Sequence, residues 1–335
     1  MRHLLTKILF ALALPLCCVC VSSCGTDDPE PVEKPVPDPD PDEPVNPDSS
    51  EQPDEPEPTP DPDPEEPVIP AEPAACDNKV VAHRGGAKEL GETVPDNSLA
   101  SLDYAKSLGC YASECDIYIT ADKRVVVAHA DSDGKINGYY PFDATLDELR
   151  QTPLSNGEQI PTLEEYLDHA MTDGSCTRLW LDIKNVTKPE TLPDHPVEAC
   201  RQACRIIAGK GAEKWVEFIC TGNEEVMSRC APIVWRYEGL KMGWMANKPV
   251  EEYIAHSYEW ANMDVKNMTD ATHSGPRTVD EFANAGVAIS VYNVDKPKNM
   301  RYYIERLDKM KAICTNYPAL LLQEMGAGQA INGQP

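Results

Sequence analysis

Several features are scarce or missing from the 335-residue sequence. No stripe of basic residues interleaved with aromatics occurs, which argues against a nucleic-acid surface. Thirteen cysteines are present, four of them at or before Cys24, and the nine from Cys76 to Cys314 include no CxxC pair and no Cys/His spacing of the kind that holds zinc. No apolar run is long enough to be a secure membrane-spanning helix; the stretch from Ile8 to Val21 falls short of the ~20 residues required. Positive charge is scarce as well. Thirty Lys and Arg face 56 Asp and Glu, a formal net charge of -26. An anionic ligand would therefore be drawn by local groups and not by a global field.

Much of the acidity is concentrated in one place. Residues 27–73 are almost entirely proline and acid, with Lys34 as their single cation. Such a segment cannot bury a core and reads as a disordered, self-repelling tether, an inert spacer reaching on the order of 100 Å or more. Ahead of it, Arg2 and Lys7 precede the apolar stretch, which ends in Val21-Ser22-Ser23-Cys24. That is the layout of a signal peptide, and it resembles a bacterial lipoprotein signal. The resemblance implies cleavage after residue 23 and a lipid anchor on Cys24. Gly25-Thr26-Asp27-Asp28 resembles the acidic export signals of Bacteroides-type lipoproteins. An outer-membrane lipoprotein is expected, facing the periplasm or the cell surface, with a signal over 1–23, a tether over 24–75 and a folded domain over 76–335. Nine cysteines lie between Cys76 and Cys314, an odd number, so disulfide pairing would leave at least one over. Cys200 and Cys204 are one helical turn apart and read as packing residues.

The chemistry gathers between Val81 and Asp131. Lys79-Val80-Val81-Ala82 reads as a short buried strand ending in His83-Arg84-Gly85-Gly86. Arginine matches phosphate oxygens with a planar fork, glycine admits close approach to the backbone, and histidine titrates near neutrality. From Ala112 to Thr120 polar and apolar residues alternate, so Glu114 and Asp116 share one strand face while Cys115, Ile117 and Ile119 share the other. The run resumes as Val125-Val126-Val127-Ala128-His129, which reads as a hairpin. A turn centred on Asp122-Lys123 would set Asp116 opposite His129. A histidine beside two carboxylates suits proton transfer next to a hard-cation site.

In order, these stretches resemble the glycerophosphodiester phosphodiesterase family, whose pattern runs HRG, PENT, ExD, T-x-D-G, HD and E-I-K. Pro95-Asp96-Asn97-Ser98 stands at PENT, Thr120-Ala121-Asp122-Lys123 at T-x-D-G, and Leu181-Asp182-Ile183-Lys184 at the E-I-K strand. Val291-Tyr292-Asn293-Val294 and Thr315-Asn316-Tyr317-Pro318 resemble the late W-T-V-N and T-D-x-P strands, so the likeness covers residues 79–323. Three positions depart from the pattern. Asp182 replaces a glutamate, shortening a metal ligand by one methylene; Asp96 replaces the glutamate of PENT; Ala130 replaces the aspartate after the second histidine, removing an orienting partner for His129. Glu89 and Glu92 lie in the loop ahead of Asp96 and are candidates to stand in for the missing glutamate.

Eight apolar strands are expected near Val80, Glu114, Leu181, Phe218, Met242, Met263, Ile289 and Ile313. Helices alternate with them, opened by capping boxes at Thr145-Glu148, Thr162-Glu165 and Thr278-Glu281. Eightfold alternation over about 250 residues is the size of a (β/α)8 TIM-type barrel, with a doubly wound sheet as the alternative. The family resemblance implies the barrel, with a catalytic mouth at the C-terminal strand ends. It also implies that Glu114, Asp116 and Asp182 hold Ca²⁺ or Mg²⁺, that Arg84 and Lys184 bind the phosphoryl group, and that His83 and His129 are the acid/base pair. The activity implied is metal-dependent hydrolysis of glycerophosphodiesters to sn-glycerol 3-phosphate and an alcohol. The alternatives are a phospholipase C/D-like enzyme on intact lipids and a non-catalytic surface lipoprotein that binds phosphodiesters.

Overall fold

The computed structural model describes residues 72–332 apart from 173 and 222, and the side chains as far as Gly326. The expected signal peptide, Cys24 and nearly all of the expected tether lie outside the described residues. Among these residues no helix is long and apolar enough to cross a membrane.

Nine strands form one sheet: β1 (Val80–Ala82), β2 (Ala112–Ile119), β3 (Val125–Val127), β4 (Arg178–Ile183), β5 (Val216–Cys220), β6 (Met242–Trp244), β7 (Trp260–Asp264), β8 (Ala288–Tyr292) and β9 (Ala312–Thr315). Every strand but β3 pairs in parallel with its neighbours, and β1 pairs with both β2 and β9, which closes an eight-stranded barrel. The eight expected strands are the eight staves. The doubly wound alternative is excluded by that closure.

All three capping boxes form, with Thr145, Thr162 and Thr278 each exchanging hydrogen bonds with the glutamate three residues on. The helix that follows β4 ends at Gly209. Strand alternation sorts the core. Outward-facing Cys115, Ile117 and Ile119 pack beneath the helices, in one layer with Leu167, Val197 and Ile207. Inside the barrel Val81, Ala112, Trp180, Ile219, Trp260 and Ala312 form a plug. Gly243 makes room for it, because a Cβ there would fall 2.2 Å from the Trp260 ring. Below the plug, Glu217 accepts hydrogen bonds from Trp180 Nε1 at 2.7 Å and Lys311 Nζ at 2.9 Å. The floor is thus sealed, and ligands are left the other end.

The β2–β3 hairpin corrects the expected register by one residue. Ile117 pairs with Val127 and Ile119 with Val125, so Ala128, not His129, stands across from Asp116. The loop holds three residues instead of two because Lys123 takes a left-handed conformation (φ 63°) and Arg124 N–H donates to the Thr120 hydroxyl at 2.9 Å. His129 therefore lies beyond the end of β3.

Candidate active site

The register of the parallel staves assembles the acidic groups. Glu114 lies beside Trp180 and Asp116 beside Asp182 on adjacent strands β2 and β4. All three carboxylates are buried, and one oxygen from each lies within 4.8 Å of the others. The missing methylene of Asp182 does not pull it out of this cluster. Unpaired buried carboxylates are costly. Two cations answer part of that cost: Lys184 Nζ sits 2.9 Å from Asp116 and 2.8 Å from Asp182, and Arg84 Nε sits 3.2 Å from Asp116.

Three negative charges against two positive leave the cluster unbalanced, and the protonation equilibria show it. Burial pushes the Glu114 carboxyl well above the ordinary range, with Asp116 and Asp182 adding to the push. Burial likewise moves Asp182 up to about 6 in spite of Lys184. Burial would raise Asp116 too, but Lys184 and Arg84 outweigh it and hold this carboxyl well below the usual range. Oδ1 of Asp182 is buried without a hydrogen bond. An orphaned carboxylate oxygen within a set of hard oxygen donors fits a divalent cation of the Ca²⁺ or Mg²⁺ type.

Arg84 is held from two sides, since its Nη1 also meets Asp96 at 2.9 Å. The shorter Asp96 thus reaches the guanidinium unaided. Neither loop glutamate is shown to replace it. Glu89 caps the final helix, accepting from the backbone N–H of Ala319 and Leu320, and Glu92 lines the same cavity as Asp96. The glycines after Arg84 serve packing: a Cβ on Gly85, whose φ is +79°, would lie 2.5 Å from Ser101. Close ligand approach is not what demands that glycine.

His83 sits at the mouth with Nε2 3.8 Å from Glu114. Its Nδ1 meets Asn316 Oδ1 at 2.8 Å. Asn316 is itself fixed, donating from Nδ2 to Asp295 at 2.7 Å and from its backbone N–H to the same carboxylate at 2.9 Å. Its amide oxygen must then face the imidazole and can only accept, so Nδ1 carries the proton and Nε2 presents a lone pair. Burial, with Arg84 close by, lowers His83 to about 4, which leaves the ring neutral at physiological pH. His129 is exposed at the rim of two smaller cavities, one of which also includes Asp96. Though the residue as a whole is exposed, the chain packed around its ring strips away part of its hydration and lowers its affinity for protons, with Asp116 acting the other way. Asp131 does not orient it, because that carboxylate accepts from the backbone N–H of Asp133 and Lys135.

A cavity of about 640 Å³ lies over His83 and Arg84, and an inner pocket joins these two to Glu114, Asp182 and Lys184, while His129 lines neighbouring cavities instead. Residues not singled out from sequence also belong to the site. Asn97, left-handed at φ 63°, clasps Asp116 by donating to its carboxylate at 3.0 Å and accepting from its backbone N–H at 3.2 Å. Its place in the PENT-like stretch was the available signal. Tyr292 and Asn293 line the inner pocket with Asp182 and Lys184. Asp295 had no motif to mark it.

The glycerophosphoryl diester phosphodiesterase family model matches residues 83–320. The chain belongs to that family. A glycerophosphodiester phosphodiesterase of Caldanaerobacter subterraneus is 35% identical over 98 residues, which span 27% of this chain and 39% of that relative. Among solved structures, a glycerophosphodiester phosphodiesterase from Parabacteroides distasonis is 26% identical, with a TM-score of 0.63 over 76% of this chain and 99% of that one. A phosphodiesterase from Oleispira antarctica, solved with the product sn-glycerol-3-phosphate, shares the fold at 18% identity, with a TM-score of 0.58 over 74% and 96% of the two chains.

Proposed function

We propose that this family member hydrolyses glycerophosphodiesters to sn-glycerol 3-phosphate and an alcohol in a metal-dependent reaction. The observation that carries the reading is the buried Glu114-Asp116-Asp182 cluster lying against Arg84, Lys184 and His83 at a barrel mouth. Glu114, Asp116 and Asp182 would hold a divalent cation of the Ca²⁺ or Mg²⁺ type, which when bound would supply positive charge to the phosphoryl oxygens. Arg84 and Lys184 add fixed donors to the same oxygens. The Nε2 lone pair of His83 takes a proton of the attacking water, which makes His83 the base. His129, on the exposed side, protonates the leaving alkoxide. The product found with the Oleispira antarctica relative agrees with this substrate class.

Intact lipids would call for an apolar rim. Among the described residues the exposed large hydrophobics are Leu90, Tyr139, Trp235 and Ile254, scattered over four segments. The test is release of glycerol 3-phosphate from glycerophosphocholine and glycerophosphoethanolamine, set against release of phosphorylated head group from the diacyl lipids. Turnover of the deacylated compounds supports the reading; turnover confined to the lipids removes it.

We further propose that Cys24 carries a lipid anchor and holds the barrel at the outer membrane by the tether of residues 24–75. The signal-like run ending in Val21-Ser22-Ser23-Cys24 supports it. Labelling with a clickable fatty acid should mark the protein and be lost in Cys24→Ala; labelling that persists in the variant would refute it.

A further inference from the structure

The barrel floor gathers three thiols that the mouth chemistry does not use. Strands β1, β2 and β4 are neighbours, and a cysteine precedes each: Cys76, Cys110 and Cys176. Cys76 Sγ lies 3.5 Å from the Gly109 carbonyl oxygen and Cys176 Sγ lies 3.6 Å from the same atom. One carbonyl oxygen thus brings the two sulfurs into the same small space. The backbone holds the two segments together, since Ala74 N–H donates to Ser175 O at 3.2 Å.

One carbonyl cannot serve all the donors aimed at it. Asn78 Nδ2 already donates to Gly109 O at 2.8 Å. A carbonyl oxygen offers two lone pairs, so the two thiols compete at long range for what remains. Removing both S–H donors would leave the stronger bond from Asn78 in place and strand no polar group. Cys76 and Cys176 are half-buried and reachable by a small reagent, whereas Cys110 is buried. Burial pushes the Cys110 thiol up to about 12 and the Cys76 thiol up to about 11, so thiolate is scarce at both, and it is access that sets Cys110 apart.

We propose that Cys76 and Cys176 form a disulfide that pins the N-terminal arm to the barrel floor, made by exchange with an external disulfide. One thiol loses its proton and attacks a sulfur of the oxidant, releasing the first thiolate. The second thiol loses its proton and displaces the other half. Two protons and two electrons leave the protein, and the sulfur–sulfur bond of the oxidant is reduced to two thiols. The closed loop runs from residue 76 to residue 176, a span over which a cross-link restricts the unfolded chain strongly. The bond would fasten the arm where the described chain begins, at the end of the barrel opposite the catalytic mouth.

The test is to equilibrate the full-length protein in oxidised and in reduced glutathione, then map peptides without reductant, titrate free thiols and measure Tm. We expect a cross-linked peptide pair containing Cys76 and Cys176, two fewer titratable thiols than in the reduced protein, and a Tm raised by several degrees. Cys76→Ser and Cys176→Ser should each abolish the pair and the Tm difference. Should either variant fail to fold, loss of alkylation at both wild-type cysteines on oxidation, with Cys110 unchanged, reads out the same bond. A cross-link through Cys110, no cross-link, or an oxidised form no more stable than the reduced one would overturn the proposal.

Discussion

Replacing Asn316 by alanine should disable His83 without touching metal or phosphate ligands. Asn316 is nearly buried and gives His83 Nδ1 its acceptor at 2.8 Å, while Asp295 fixes which end of the amide faces the ring. Without it, Nδ1–H is left unpaired in a largely enclosed place, a cost of about 1–3 kcal/mol. The ring can escape that cost by turning or by moving its proton to Nε2, and either change withdraws the lone pair from the mouth. At ~1.4 kcal/mol per decade, kcat/KM should fall roughly 10- to 100-fold. The assay pairs steady-state kinetics with long-range ¹H–¹⁵N correlation of the imidazole, which distinguishes the tautomers. Wild type should show the Nδ1–H form, and Asn316→Ala should lose it together with the rate. An Nε2–H tautomer in the resting wild type, or full activity in a variant whose tautomer has shifted, would refute the reasoning.

Other expectations follow from the same geometry. His83 has its folded-state pKa depressed, so the unfolded chain binds more protons between about 4 and 6.5 and stability rises with pH across that window. The Tm of metal-free wild type relative to His83→Gln should therefore climb from pH 4.5 to 7; a flat difference would contradict the burial argument. Arg84→Lys keeps the charge but cannot bridge Asp116 and Asp96 together, and kcat/KM should drop about 10-fold or more; an unchanged value would show that the fork is idle. Glu217→Ala leaves the Lys311 ammonium without its partner on the floor and should cost ~3–5 kcal/mol of stability by thermal unfolding. A Tm shift of less than a few degrees would rule that out.

What sequence reasoning reached was governed by how local the signal is. The staves, the capping boxes and the shared face of Glu114 and Asp116 each follow from periodicity or spacing within a few residues, and each stands in the structure. The hairpin register did not, because its loop length depends on Lys123 taking a left-handed conformation without glycine to announce it. Asn316 and Asp295 support His83 from more than 200 residues away along the chain. Their roles arise only on barrel closure, when β9 pairs with β1. The glycine of the HRG motif was legible as special, but its reason, the crowding of Ser101, is a tertiary contact. Ala130 stands where the resemblance expects an aspartate after the second histidine, and Asp131 does not stand in for it, since its carboxylate is taken up by the backbone N–H groups of Asp133 and Lys135.

The most direct test of the central claim is glycerol 3-phosphate release by the chelator-stripped protein, measured before and after adding Ca²⁺ or Mg²⁺, beside Asp116→Asn. Activity that is absent when stripped, restored by one of the ions and missing from the variant would show that the buried carboxylate cluster is a metal-dependent catalytic centre. Turnover that persists in the stripped protein, or that survives intact in Asp116→Asn, would contradict it.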